Sequence, residues 1–323
     1  MLAAPPKSAL VKRKPMTEIY SPGTSQSISM IRAEDPLPTF LTTNDGFAIG
    51  VSADFTSLPL DSFPFPERTV IRPEQRDFCI SSIRSLILQL VQRSRSPFIH
   101  PHSYQQLPPV AYQDLLGICA MYSQKTPQNQ AVIFSMLDSR VSSLIYSSKV
   151  STWSKKDRLL AVQALTSYQI IRLFDGDIRQ RVLAEKHLDV LESWTIDLIS
   201  TCNIYNNDTN SDSPYERWVF IESSRRTTLM SVMIQAMYSI AKDGYCTSVP
   251  LMANLPISID GSLWNASEET WWQRTLGLGG NLVTYQHFVH QWNGGDSLFT
   301  DTFESILIAA CRHNLRRPPL MDV

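Results

Sequence analysis

The chain has 323 residues, 29 basic and 30 acidic side chains and a net charge of -1. Hydrophobic residues make up 43% and charged residues 18%, enough to bury a core without metals or disulfides. A neutral balance gives no strong basic field for nucleic acid. No apolar run nears the ~18 residues of a membrane span, and Met1 to Pro15 lacks the apolar middle of a signal peptide, so a soluble intracellular protein is expected.

Ten of the twenty prolines fall in the first 73 residues, among Ser, Thr and short apolar pairs without periodicity. Residues 1–72 are therefore expected to be extended or largely disordered, and residues 73–323 to form one helical domain. Lys12, Arg13 and Lys14 form a basic cluster in the first part. It reads as a solvated charge run, or alternatively as a nuclear-import signal or a phosphate-touching arm.

From Pro73 the pattern turns helical. Phe78, Ile83, Leu86, Ile87, Leu90 and Val91 recur at three- and four-residue steps. Prolines at 97, 101, 108 and 109 break the chain. Further helices are expected over about 110–122, through Leu115, Ile118 and Cys119, and over about 128–146, through Val132, Ile133, Met136, Leu137 and Val141. Ser154, with Asp157 three residues on, reads as an N-cap. The helix it opens carries Leu160, Ala164, Tyr168 and Ile171, and ends at Asp175-Gly176, with Gly176 in a left-handed position. Asp177 then caps the next helix, with Gln180 reaching back. That helix places Ile178, Val182, Leu191, Thr195 and Leu198 on one side.

Residues 203–213 read as a polar loop. Pro214 suits the first turn of a long helix to about Ala241, with Trp218, Ile221, Arg225, Leu229, Val232, Ala236 and Ile240 on its stripe. Gly244 stops it. Residues 246–264 hold too many Pro, Ser and Asn for a helix, and shorter helices are expected near 267–276, 282–292 and 298–313. No alternation requires a sheet, so the fold class is all-α.

Chemistry-bearing patterns are few. Gly277-Leu278-Gly279-Gly280 has no preceding strand and no third glycine at the right offset for a dinucleotide loop. His287 and His290 share a helix face but have no carboxylate one turn away to complete a metal set. Cys119 with His100 or His102 has no supporting nucleophile spacing. The five cysteines (Cys79, Cys119, Cys202, Cys246 and Cys311) are scattered, with no C-x-x-C, and read as small buried residues rather than as disulfides or a zinc site. No catalytic, cofactor or metal site is expected.

The informative charges are Glu222, Arg225 and Arg226. Glu222 precedes Arg226 by one turn in the favourable order and reaches Arg225 at three residues. They read as an ion pair that also pins a neighbouring helix through the arginine fork, or alternatively as a pocket arginine for an anionic effector. Asp175 and Asp177 are explained as a helix stop and a helix cap. Of Trp271-Trp272, one is expected to be partly exposed, or both to line a groove, because adjacent helix positions diverge.

Several segments together resemble a known family. They are Pro97-Phe98-Ile99-His100-Pro101, Ala161-Val162-Gln163-Ala164-Leu165 and Ile170-Ile171-Arg172-Leu173-Phe174-Asp175-Gly176-Asp177. Next come Gln180-Arg181, Ala184-Glu185, Trp194-Thr195 with Leu198, and Trp218-Val219-Phe220. Glu222-Ser223-Ser224-Arg225-Arg226-Thr227, Leu263-Trp264 and Trp271-Trp272 complete the series. In order and spacing these are similar to the regulatory (middle homology) region of fungal zinc-cluster transcription factors, of the type associated with secondary-metabolite gene clusters.

The resemblance implies an α-helical regulatory domain in a nuclear protein. The family's six clustered cysteines do not occur in this sequence, whose first cysteine is Cys79. The resemblance therefore points to a regulator that meets DNA indirectly. It would act through other transcription regulators or a full-length relative, as a homodimer or heterodimer. The rival expectation is a helical small-molecule binder or pathway enzyme, suggested by Arg225 on an apolar stripe and by the Trp-rich C-terminal part.

Overall fold

Local signals set many helix boundaries in the computed structural model, which describes residues 68–105, 108–150, 152–206, 213–292 and 302–310. In chain order the helices are α1 (Pro73–Arg93), α2 (Val110–Ser123), α3 (Gln130–Val150), α4 (Lys155–Phe174), α5 (Ile178–Glu185) and α6 (Leu188–Cys202). Then come α7 (Pro214–Asp243), α8 (Val249–Ala253), α9 (Glu268–Thr275), α10 (Tyr285–Trp292) and α11 (Thr302–Ala309). Short 3-10 turns lie at Pro101–Tyr104 and Gly261–Asn265. Two three-residue strands, β1 (Pro256–Ser258) and β2 (Leu282–Thr284), pair antiparallel with Ile257 opposite Val283. The all-α expectation holds with this one small ribbon added.

The expected caps form where the chemistry is local. Ser154 Oγ accepts the Asp157 N–H, and the Asp157 carboxylate returns to the Ser154 N–H, closing a capping box. Asp177 Oδ1 accepts the Gln180 N–H at 2.8 Å. Pro214 opens α7, and Gly244 closes it at φ 84°, the left-handed region that glycine enters freely.

Two helices are buried on every side. In α4 every residue from Leu159 to Leu173 is buried, and in α7 so is every residue from Ile221 to Ile234. A helix buried all round is normally apolar all round. These two instead carry Gln163, Thr166, Ser167, Gln169 and Arg172, and Glu222 through Thr228 with Ser231. Such groups need internal partners. Gln163 Nε2 donates to the Phe98 carbonyl at 2.7 Å, and Gln163 Oε1 accepts from the Tyr104 hydroxyl at 2.6 Å. Thr195 and Ser231 share a hydroxyl bond of 2.6 Å between α6 and α7. Gln169 Nε2 donates to the Ala184 carbonyl at 2.8 Å. The remaining core comes from Ile83, Leu86 and Leu90 of α1, Leu115 and Ile118 of α2, Leu137 and Val141 of α3, and Ile306 and Leu307 of α11.

Several expectations need correction. Residues 178–202 form two helices, broken at Lys186-His187. Ile178 and Val182 are exposed, whereas Leu191, Thr195 and Leu198 are buried. Phe78, Val132 and Met136 are likewise exposed. Gly176 is not left-handed. A Cβ there would overlap the Arg172 carbonyl oxygen and crowd the Gln180 Cβ, so it is close approach that requires glycine. Gln180 does not reach back to its cap, because its side chain is turned to Arg172 and Asp138. Residues 246–264 hold α8, β1 and a 3-10 turn, and 282–284 is strand before α10 begins.

Residues 68–72 fall inside the expected disordered segment. There Thr69 exchanges two backbone hydrogen bonds of 2.9 Å with Cys246. The rest of that segment, with Lys12, Arg13 and Lys14, lies outside the described residues.

Candidate functional site

Glu222 sits on α7 with two arginines on the following turn, and all three side chains are at most 3% exposed. Arg226 Nε donates to Glu222 Oε1 at 2.9 Å, and Arg225 Nη1 donates to Glu222 Oε2 at 3.1 Å. Ser258 of β1 adds a hydroxyl bond to Oε2 at 2.8 Å. The small ribbon thus delivers a third donor to a buried carboxylate. Burial alone would push the Glu222 carboxyl up. The Arg226 and Arg225 charges outweigh it and hold the carboxyl below the usual range.

The arginines reach outward from this carboxylate. Arg225 donates from Nε to the Ile204 carbonyl and from Nη2 to the Asn206 carbonyl, each at 2.6 Å. It therefore clasps the chain leaving α6, beyond the Asn203 residue that ends the helix at φ 50°. The expected intrahelical pair exists, but it pins carbonyls of a turn rather than a second helix. Arg226 donates to the Pro97 carbonyl at 3.3 Å. Its guanidinium also stacks 4.4 Å from the Trp264 ring centre and 4.5 Å from that of Phe303, a favourable contact between cation and ring.

An aromatic cluster adjoins the charged one. His100 makes edge contacts with Trp264, Trp218 and Tyr215, with ring centres 4.7, 6.3 and 6.4 Å apart. Trp218 and Trp271 lie 5.6 Å apart. His100 Nε2 donates to the Trp264 carbonyl at 3.1 Å, while Nδ1 accepts the His102 N–H at 3.2 Å. These two roles fit a neutral ring with its proton on Nε2. Burial, then the nearby His102, Arg226 and Arg95, lower its pKa to about 4 despite the Trp264 bond. Trp271 is fully buried and Trp272 is 40% exposed, as adjacent helix positions require.

Several of the segments quoted for the family resemblance thus meet in space. Pro97 and Phe98 present carbonyls to Arg226, Gln163 and Thr227. Trp218, Glu222, Arg225 and Trp264 complete the same region, and Trp271 packs behind Trp218.

Asp175 and Asp177 do not form a carboxylate pair. Asp177 is the cap of α5. Asp175 gathers Arg84 of α1 at 2.6 Å, Lys125 at 2.6 Å and the Tyr122 hydroxyl at 2.5 Å. Its partial burial raises its pKa, but bonds from Lys125 and Tyr122 and the Arg84 charge bring it below the usual range. Asp175 therefore ties α1, the end of α2 and the end of α4 together.

A second corner was missed from sequence. Asp138 of α3 accepts from Arg172, Arg179 and the Gln180 side chain, and Arg172 also donates to His187 Nδ1 at 3.2 Å. The sequence carried no local signal for it, because the partners of Arg172 lie on other elements. The Ser258 contact and the Ile204 and Asn206 carbonyls had no local signal either.

The remaining candidates do not assemble into a reaction centre. Cys119 is fully buried among core side chains, and burial pushes its thiol up to about 12, which leaves no reactive thiolate. His287 shares a bond with Gln291. Among the described residues, no group of three or more His, Cys, Asp or Glu is placed to hold a metal ion. Gly277 and Gly279 occupy left-handed turn positions, and the Gly277–Gly280 stretch is followed, not preceded, by a strand. No described helix is long and apolar enough to cross a membrane.

No protein-family model matches the chain, and no solved structure matches it. Over 193 residues it is 37% identical to the transcription factor gsfR2 of Penicillium aethiopicum. The chain is homologous, over part of its length, to a fungal transcription factor. The alignment takes in 57% of this chain and 46% of that protein, so the chain spans less than half the length of its relative.

Proposed function

We propose that the chain is a helical regulatory module of transcription control. It works in the nucleus on a secondary-metabolite gene cluster and acts through partner regulators rather than through a DNA reader within these 323 residues. The observation that carries this reading is the 37% identity to a transcription factor over 193 residues. The meeting of the Pro97–Pro101, Gln163, Trp218, Glu222–Thr227 and Trp264 segments around one buried ion cluster supports it. Residues that resemble a regulatory region in sequence build the frame that locks α7 to its neighbours. Glu222, Arg225, Arg226 and Trp218 then serve as its framework, with Asp175 and Asp177 as helix-joining and capping residues.

The Arg225 fork is spent on Glu222 and on two carbonyls, which removes the support for an anion pocket at that residue. Cys119, the cysteine weighed as a nucleophile, is buried, and that burial pushes its thiol up to about 12.

The test is to delete the gene and profile transcripts, while a tagged copy is imaged and used to pull down zinc-cluster regulators. Loss or gain of a co-regulated set of transcripts, nuclear signal and capture of such a regulator are expected. Unchanged transcripts together with exclusion from the nucleus would overturn the proposal. Substituting Lys12, Arg13 and Lys14 together by Ala tests the import role, with cytoplasmic retention as the expected result.

A further inference from the structure

On α5 two apolar residues face outward. Ile178 is 74% and Val182 48% exposed, and one helical turn separates them. Gln180 and Ala184 occupy the buried side of this short helix. The helical period sets Arg179 and Lys186 along one flank of the apolar pair and Arg181 along the other, and all three are exposed. The acids nearby are already engaged. Asp177 caps α5, and Asp138 accepts from Arg172 as well as from Arg179. Glu185 accepts from the Tyr238 hydroxyl and from Lys242, and Asp189 serves the N-terminal end of α6. Arg181 adds its charge near Glu185. Among the described residues, neither the Arg181 nor the Lys186 side chain has an ion-pair or hydrogen-bond partner. An apolar pair between basic flanks suits an apolar segment that carries acids.

The chain itself holds a segment of that chemistry. Residues 51–67 lie outside the described residues. Their sequence has Asp54, Asp61 and Glu67 but no Lys or Arg, together with Phe55, Leu58, Leu60, Phe63 and Phe65. The described chain starts beside α5's own neighbour. The Arg68 guanidinium lies 4.6 Å from the Tyr245 ring centre, and Thr69 pairs with Cys246. The Tyr245 carbonyl accepts from Ser239 of α7, while Tyr238 and Lys242 of the same two turns hold Glu185 of α5. Residue 68 and α5 therefore both adjoin the last two turns of α7. The outer face of α5 is about 12 Å long, and a stretch of about 17 extended residues spans up to about 56 Å, so reach is ample. Attachment to the same chain raises the local concentration to about the millimolar range, so a modest contact suffices.

We propose that the outer face of α5 is a docking site for the chain's own residues 51–67. Phe and Leu side chains of that segment lie on Ile178 and Val182, and its acids face Arg181 and Lys186. The contact does not depend on the transcriptional reading.

The experiment is zero-length carbodiimide coupling of the dilute full chain at low salt, with the coupled residues mapped by mass spectrometry. Lys186 is expected to join Asp54, Asp61 or Glu67 within a single chain. Ile178→Ser combined with Val182→Ser should lower that yield by about fivefold or more. Both side chains are exposed, so the melting temperature should stay within about 2 °C. Phe55→Ser combined with Leu58→Ser and Leu60→Ser, which leaves the helices untouched, should lower the yield equally. Coupling of Lys186 to none of the three acids would overturn the proposal. So would coupling found only between two chains, which would make the occupant a second copy, or a yield unchanged in either variant. None of those outcomes touches the transcript and pull-down results, so the two readings fail separately.

Discussion

Glu222 and Arg226 stand one turn apart on α7, joined by a 2.9 Å bond, with both side chains only 3% exposed. The pair is not isolated. Arg225 and Ser258 complete the shell of the carboxylate, and Arg226 continues to Pro97, Trp264 and Phe303. One negative charge therefore meets two positive charges at the middle of the fold, and the Ile204, Asn206 and Pro97 carbonyls take further donors of the arginines. Removing either partner of such a buried pair costs far more than the pair itself contributes, because a charge is left without compensation.

Glu222→Ala is accordingly expected to lower unfolding stability by roughly 3–5 kcal/mol, a large share of the ~5–15 kcal/mol typical of a domain. Urea unfolding followed by circular dichroism measures it. The acid limb of the stability profile should change too. The Glu222 pKa is lower in the folded state than its usual value of 4.5, so the unfolded chain binds its proton first as pH falls. Its contribution is complete above that value and is lost below it. Glu222→Gln should remove this loss, at reduced stability throughout. A parent and variant with equal urea midpoints would show that the cluster does not stabilise the fold.

His100 gives a second pH dependence at higher pH. Its ring titrates near 6.5 when unperturbed and at about 4 when buried. Between these values the unfolded chain carries more protons, so stability falls as pH drops through the window, by about 3 kcal/mol at most. His187 acts in the same direction, because its burial and then Arg172 lower its pKa. Comparison of the parent with His100→Gln separates the two. The variant should lose most of the slope between pH 6.5 and 4, and any slope left belongs to His187 and to the carboxylates. Identical slopes in both proteins would refute the assignment to His100.

What was legible in the sequence was local. Ser154 with Asp157, Asp177, Pro214 and Gly244 were read correctly because a cap needs partners no more than three or four residues away. The Glu222, Arg225 and Arg226 grouping was legible for the same reason. Ser258 was not, since it meets Glu222 across 36 residues. The ribbon escaped notice because each strand has three residues and their pairing spans the turn and helix between them. The break at Lys186-His187 was hidden by an apolar stripe that continues across it. The polar faces of α4 and α7 resembled exposed surface, although Gln163, Thr227 and Ser231 find their partners inside the protein.

Gly176→Ala tests the corner between α4 and α5. The residue does not need glycine's left-handed freedom. Its Cα lies so close to the Arg172 carbonyl and the Gln180 Cβ that a methyl group cannot fit without moving backbone. Such overpacking costs about 1–3 kcal/mol. The shift would also disturb the Arg172–Gln180 bond and, through it, Asp138. A lowered melting temperature is expected, together with faster amide exchange at the start of α5. A variant as stable as the parent would mean that the corner relaxes freely.

Arg225 distinguishes a structural fork from a mere positive charge. Its guanidinium bonds Glu222, the Ile204 carbonyl and the Asn206 carbonyl at once, a planar spread of donors that an ammonium group cannot reproduce. Arg225→Lys keeps the charge beside Glu222 but has to release at least one carbonyl of the turn after α6. Each buried acceptor left without a donor costs about 1–3 kcal/mol. The loss should therefore exceed what the retained charge predicts, and it should be local. Limited proteolysis should cut at residues 203–206 sooner than in the parent, before any cut within α7. Arg225→Met removes the charge as well, leaves Glu222 with Arg226 and Ser258 only, and should destabilise the whole fold further. If the lysine variant matched the parent in both proteolysis and urea midpoint, charge alone would account for Arg225 and the clasp on the turn would have no energetic weight.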